Sequence, residues 1–129
     1  DINIEAVLIT KKNAADNTAE VHAVYSNLFS NLAEKFDLIV FNPPYLPGEG
    51  DERKELTYYG GKDGRETIKR FLGQAGKFLK KNGRIFLLIS TVTGEMEVIN
   101  IAHENGYIVK EIRRKKVPWE ELIVLEFRQ

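Results

Sequence analysis

Asn42-Pro43-Pro44-Tyr45 is the stretch of this chain best equipped for chemistry. An asparagine side-chain oxygen and a nearby main-chain carbonyl can both accept hydrogen bonds from one NH2 group. Proline suits such a bend because it fixes φ and brings no competing N–H. Two acceptors on one NH2 orient the nitrogen and push electron density toward its lone pair. Tyr45 adds a flat face for a planar amide or base. Positioning of this kind lowers a barrier without a strong general base. The plain alternative is a turn, since Asn-Pro commonly opens one. The position directly after the apolar run Phe36 to Phe41 favours the chemical reading.

Other reactive types are sparse. His22 and His103 lie far apart without ligand spacing and read as ordinary surface or half-buried residues. The absence of cysteine excludes a disulfide framework, a thiolate zinc site and a cysteine nucleophile. Gly60-Gly61 and Gly64 are not followed by Gly-Lys-Ser/Thr, so they do not form a phosphate-cradling loop. They read either as a flexible lead into a helix or as a gate to a substrate channel, with Tyr58 and Tyr59 at the entrance. The basic run Lys110, Arg113, Arg114, Lys115 and Lys116 reads as a solvated strand edge, with contact to RNA or an acidic partner as the alternative. Pro118 and Trp119 read as a packing anchor in a connection.

The elements that position these residues follow from hydrophobic period. Asn3 caps a helix from Ile4 to about Asn17, with Ile4, Val7, Leu8, Ala14 and Ala15 mostly on one face. Val21 to Tyr25 reads as a short strand and Ser30 to Lys35 as a short helix. Phe36 to Phe41 reads as a central strand buried on both faces, stopped by the two prolines. Residues 46 to 62 form a long loop. Asp63 and Glu66 suggest a capping box for a helix to about Lys80, with Ile68, Phe71, Leu72, Ala75 and Leu79 on one stripe and Asn82-Gly83 as its end. Arg84 to Ser90 is a second buried strand. Thr93 opens a helix through Val98, Ile99 and Ala102 that closes at Asn105-Gly106. Tyr107 to Lys115 and Leu122 to Arg128 alternate and read as a terminal antiparallel pair. Helices alternating with buried strands give an α/β fold with a mostly parallel sheet covered on both faces.

At 129 residues, with 43% hydrophobic and 29% charged residues, the chain is one domain, residues 1–129, with enough apolar mass for a core. Nineteen basic and nineteen acidic residues cancel, so no global field draws in nucleic acid or a membrane surface. No apolar run reaches the length of a membrane span, and no signal peptide is visible. The composition fits a reducing cytoplasm. The chain opens at Asp1 rather than methionine, in what reads as the last position of a strand, so an upstream segment is expected.

Phe36 to Tyr45 resembles motif IV of class I N-methyltransferases. Asp1-Ile2-Asn3 with the helix ending Lys11-Lys12-Asn13-Ala14 resembles the end of their second strand and the following helix. Gly60-Gly61-Lys62-Asp63-Gly64-Arg65-Glu66, then Arg70-Phe71-Leu72, resembles the HemK-type protein-glutamine methyltransferases, as does the ending Glu121 to Phe127, which matches their archaeal and eukaryotic branch. The resemblance covers essentially the whole chain. It implies a Rossmann-like class I methyltransferase sheet, here without the first strand and its Gly-rich loop, and S-adenosylmethionine as cofactor. It implies that Asp1 holds the ribose hydroxyls and Ile2 packs on the adenine. Asn27 and Leu28 stand beside the adenine amino group, where the family usually has an acidic and an apolar residue. Asn42 touches cofactor and target, and Pro43, Pro44 and Tyr45 complete the target clamp. Without the Gly-rich loop, these 129 residues alone are expected to bind cofactor weakly or not at all.

The leading expectation is methylation of a glutamine side-chain amide in a protein, by resemblance the glutamine loop of a translation release factor. A second is adenine-N6 methylation of DNA or RNA, which needs base flipping and is disfavoured by the neutral charge. A third is a catalytically silent module that binds a partner protein. The resemblance also implies a small zinc-binding activator subunit.

Overall fold

A computed structural model describes residues 1–48 and 58–129. Residues 49–57 of the expected loop lie outside the described residues. The chain forms two compact units, Asp1–Glu34 and Lys35–Gln129.

The first unit is built on helix α1, Ile4–Asp16. The Asn3 side chain accepts from the Glu5 N–H, the expected N-cap. The expected apolar face is not a buried one: Val7 is buried, whereas Ile4, Leu8 and Ile9 are exposed. Val21–Tyr25 is not a strand. The described backbone-to-backbone bonds of this stretch and of Ser26 after it run to Asp1, whose nitrogen donates to the Val24 carbonyl and whose carbonyl accepts from Ser26 N–H, and a ladder needs a longer neighbour. Ser30–Lys35 is likewise not a helix. Side chains there take over from the helical ladder: Ser26 Oγ accepts from the Asn31 N–H, and Asn31 Nδ2 donates to the Tyr25 carbonyl.

The second unit is a four-stranded mixed sheet in the order β1-β2-β4-β3. Its elements are β1 (Phe36–Phe41), α2 (Glu66–Ala75), β2 (Leu79–Ser90), α3 (Glu95–Glu104), β3 (Ile108–Val117) and β4 (Glu120–Arg128). β1 and β2 are parallel; β2 with β4, and β4 with β3, are antiparallel. The terminal pair is a hairpin closed by Pro118 and Trp119 alone, because Val117 pairs with Glu120.

The core lies between one face of the sheet and the two helices. Ile85, Leu87 and Ile89 of β2 and Ile123, Leu125 and Phe127 of β4 meet Ile68, Phe71, Leu72 and Ala75 of α2 and Val98 and Ala102 of α3, all buried. Phe41 stacks on Phe71 with ring centroids 4.4 Å apart. Strand residues alternate between faces. Leu38 and Val40 therefore point away from α2 and are 45% and 68% exposed, so β1 is not buried on both faces.

α2 ends earlier than its apolar stripe suggests. A 3₁₀ turn, Gly76–Phe78, follows it, and Leu79 is already extended. Leu79 pairs with Phe36, and the next pair is Leu38 with Arg84. Asn82, at φ 65°, and Gly83 thus form an irregularity inside β2 rather than a helix cap. Pairing with β1 outweighs the local capping signal, as tertiary context commonly does. The helix start also differs: Arg65 occupies the cap without a side-chain bond, and Asp63 Oδ1 instead accepts from Arg65 N–H at 2.8 Å. Asn105 and Gly106 close α3 as expected, with Gly106 at φ 78°.

Candidate functional site

β1 runs directly into Asn42-Pro43-Pro44-Tyr45, at the carboxyl end of the sheet's parallel pair, where open α/β sheets place ligands. The double-proline bend separates the two roles of the motif. Pro43 is buried and fixes the backbone, whereas Asn42 is exposed. The Asn42 side chain makes no hydrogen bond to any described residue. Pro44 and Tyr45 are half-buried.

The glycine loop braces this bend. Leu46 N–H donates to the Tyr58 carbonyl, Gly60 N–H to the Leu46 carbonyl and Gly48 N–H to the Gly61 carbonyl. A Cβ on Gly60 would lie 2.5 Å from the Pro44 oxygen, so the backbones touch there only because glycine has none. The loop is thus a backing for the motif's main chain. Glu66 N–H then donates to the Gly60 carbonyl, joining this backing to the start of α2.

The neighbouring strand end contributes residues that the motif alone does not reveal. β2 finishes at Ser90, which is fully buried. Ser90 Oγ donates to a carboxylate oxygen of Glu120, the first residue of β4, and accepts from the Val92 N–H. Thr93 Oγ1 lies 3.5 Å from the Tyr45 carbonyl, and Arg65 Nη1 donates to the Thr93 carbonyl at 2.6 Å. Asp63 holds the other end of that guanidinium at 2.9 Å. Burial raises the Tyr45 phenol above its ordinary pKa, and the negative charge of Glu120 adds to the shift. Tyr45 therefore stays neutral at physiological pH and offers a neutral aromatic face. Ser90 and Glu120 were legible only through topology, since both sit at the end of the sheet that carries Asn42.

The expected cofactor residues lie in the first unit. A hollow of about 320 Å³ is lined by Asp1, Val7, Thr10, Val24, Ser26 and Leu28 among others. Asp1 and Leu28 are therefore brought together; Ile2 and Asn27 are not part of that lining. Ile2 and Asn27 are exposed, and Asn27 N–H donates to Ser30 Oγ. Asp1 Oδ1 accepts from the Asn3 N–H at 2.7 Å, which leaves its second oxygen for a ligand. Leu28 is held at φ 53°, and its carbonyl accepts from Ser26 Oγ. One carboxylate oxygen beside apolar walls suits the diol and the flat base of a nucleoside, and the volume is at the small end for ligand sites.

The methyltransferase small domain profile matches residues 1–117. A Methanocaldococcus jannaschii protein provisionally named protein N5-glutamine methyltransferase is 44% identical over 129 residues, covering 97% of this chain and 66% of its own length. The human methyltransferase HEMK2 is 32% identical over 135 residues, covering 98% of this chain and 63% of its own. The chain thus spans no more than about two thirds of either relative. The E. cuniculi Mtq2–Trm112 complex, described as responsible for methylation of the eRF1 translation termination factor, superposes with a TM-score of 0.69. It is 25% identical and covers 91% of this chain and 67% of that one. The sheet is therefore the Rossmann-like α/β sheet of class I methyltransferases, and the resemblance to HemK-type enzymes seen in the sequence is matched by these relatives. The chain belongs to the methyltransferase small domain family.

Proposed function

We propose that this protein is an S-adenosylmethionine-dependent N-methyltransferase acting on a glutamine side-chain amide of a protein, the substrate being a translation termination factor. One observation carries the reading: Asn42 stands exposed at a braced strand end, with its side-chain hydrogen-bonding capacity uncommitted among the described residues. The relatives' names supply the substrate class.

Asn42 Oδ1 and the Pro43 carbonyl accept from the two hydrogens of the target NH2 and fix the direction of its lone pair. Tyr45 lies on the amide plane. The buried Pro43 and the glycine loop keep these acceptors in place before substrate arrives, so little reorganisation accompanies reaction. Asp1 holds the ribose diol of the cofactor, with Leu28, Ile2 and Asn27 around its base. S-adenosylmethionine, when bound, supplies a methyl group activated by its sulfonium. The proton leaves the nitrogen after transfer, which is why no strong base is required at the motif. A small zinc-binding subunit is the proposed partner, in keeping with the two-protein assembly of the E. cuniculi relative. The cytoplasm is the proposed location.

The test is transfer of label from methyl-labelled S-adenosylmethionine to a termination factor, to the same factor with its loop glutamine replaced by alanine, and to adenine-containing RNA and DNA. Label on the first substrate alone supports the reading. Label on nucleic acid, or retention after removal of the glutamine, defeats it.

A further inference from the structure

Trp119 is the one tryptophan of the chain, and it is 100% exposed. It also sits at φ 74°, in the left-handed region that a bulky residue rarely occupies. The turn is a two-residue hairpin with Pro118 ahead of it, a place where glycine relieves that strain. The expected packing anchor is thus absent: a large apolar ring is held in a strained conformation and covers nothing among the described residues. Isolated exposed apolar residues are common, but this one sits on an unusually firm mount.

Three contacts fix the stem. Ser90 Oγ holds the Glu120 carboxylate, and Glu121 N–H donates to Thr91 Oγ1 at 3.0 Å. Arg114 binds Glu111, Glu121 and Glu95 together, tying both strands of the hairpin to α3. The first two anchors lie at the end of β2, beside the end of β1 that carries Asn42. Thr93, two residues beyond the Thr91 anchor, lies 3.5 Å from the Tyr45 carbonyl, which sets the stem of the hairpin beside the same site. A rigid arm that presents a bare indole there meets the requirement for an interface anchor, a large side chain that loses little freedom on binding.

We propose that the Pro118–Trp119 tip is a docking lip for the polypeptide that carries the target amide, with Trp119 as its apolar anchor. This rests on the reading of a protein substrate given above. The occupant is a folded protein rather than a small molecule, because one ring with no surrounding wall makes no pocket. It is the substrate rather than an unrelated partner, because the lip adjoins the atoms that grip the amide.

The test uses the full enzyme with Trp119→Ala and Trp119→Gly. The glycine variant relieves the positive φ, so its Tm equals or exceeds that of the wild type and a folding defect is set aside. Both variants should raise KM for the intact termination factor about tenfold, the scale of a hot-spot side chain. They should leave kcat and the KM for a short glutamine peptide unchanged. Fluorescence of Trp119 should shift to the blue and resist acrylamide quenching when the termination factor is added, whether or not turnover occurs. An unchanged KM for the intact factor with unshifted fluorescence overturns the proposal. An equal loss on peptide and protein also overturns it, by placing Trp119 inside the catalytic site. So does a wild-type dimer that the substitutions convert to monomers, which makes a second copy the occupant. Failure of the wild type to methylate the factor, with Trp119 still protected by it, instead defeats the proposed reaction.

Discussion

Gly64 turns at φ 74° directly against the main-chain oxygen of Tyr45, and a Cβ at Gly64 would run into that oxygen. The Tyr45 backbone is thus supported by a position nineteen residues away in sequence where no side chain fits. The glycine loop and the Asn-Pro-Pro-Tyr bend form one structural unit, which their separate sequence signatures do not announce.

Gly64→Ala should destabilise the protein by about 2 kcal/mol or more, combining left-handed strain with the clash. Gly106→Ala is the control. Its φ is 78°, but nothing lies within 4 Å of its added Cβ, so it carries the strain without the clash. Urea midpoints at unchanged m measure both. Equal losses at the two positions would remove the claimed contact with Tyr45.

Asn42→Ala should lower turnover of the active protein on the order of 10²-fold, the usual effect of deleting one preorganised polar contact to the reacting group. Asn42 is exposed, so Tm should hold, and cofactor affinity should change far less than kcat. Steady-state kinetics with calorimetric cofactor titration gives both numbers. Unchanged turnover would refute the acceptor role.

Ser90→Ala removes a buried hydroxyl that donates to Glu120 and caps the following turn by accepting backbone N–H bonds, Val92 N–H among them. The expected loss is about 1–2 kcal/mol of stability. Because the Glu120 tether goes too, exchange of the Pro118–Trp119 amides should quicken relative to those of α2. Hydrogen exchange reads that ratio, and unchanged tip protection would separate the hydroxyl from the hairpin.

Glu126 supplies the pH test. It is 5% exposed on β4, with Arg84 and Arg128 in ion-pair contact with its carboxylate at 3.6 and 2.9 Å. The hydrogen bond from Arg128 is the largest cause holding its carboxyl below the ordinary value of 4.5, against opposing desolvation, with the charges of Arg128 and Arg84 adding to it. A lowered folded pKa means the contribution is complete above the unfolded value and fades as pH falls through the folded one. The Tm advantage over Glu126→Gln should therefore be constant from neutral pH down to about 4.5 and shrink below it. An advantage that persists in stronger acid, or grows there, contradicts the ion pairing.

Several features were legible without coordinates because their causes are local or periodic. The apolar stripe Ile68, Phe71, Leu72 and Ala75 does face the core, the alternation in the last two strands does produce a hairpin, and Asn3 and Asn105-Gly106 do bound their helices. The site motif was recognisable because two prolines after an apolar run end a strand whatever surrounds it. Its companions were not. Ser90, Thr93, Glu120 and Arg65 are spread over 56 positions of the chain, from 65 to 120, and meet through the parallel pairing of β1 with β2 and the return of β4.

The misjudged elements share a physical origin. Val21–Tyr25 has strand composition, but a strand exists only where a neighbour supplies its ladder. Asn82-Gly83 can end a helix, yet the pairing of Leu79 with Phe36 had already ended it. Trp119 has the composition of an anchor, and the two-residue turn instead lifts it into solvent. Sequence alone determined the family, the periodic elements and the strand end at which the Asn-Pro-Pro-Tyr motif falls. The tertiary structure alone decided which polar groups brace that motif and which apolar groups stay bare, because both depend on contacts between segments whose propensities carry no record of their partners.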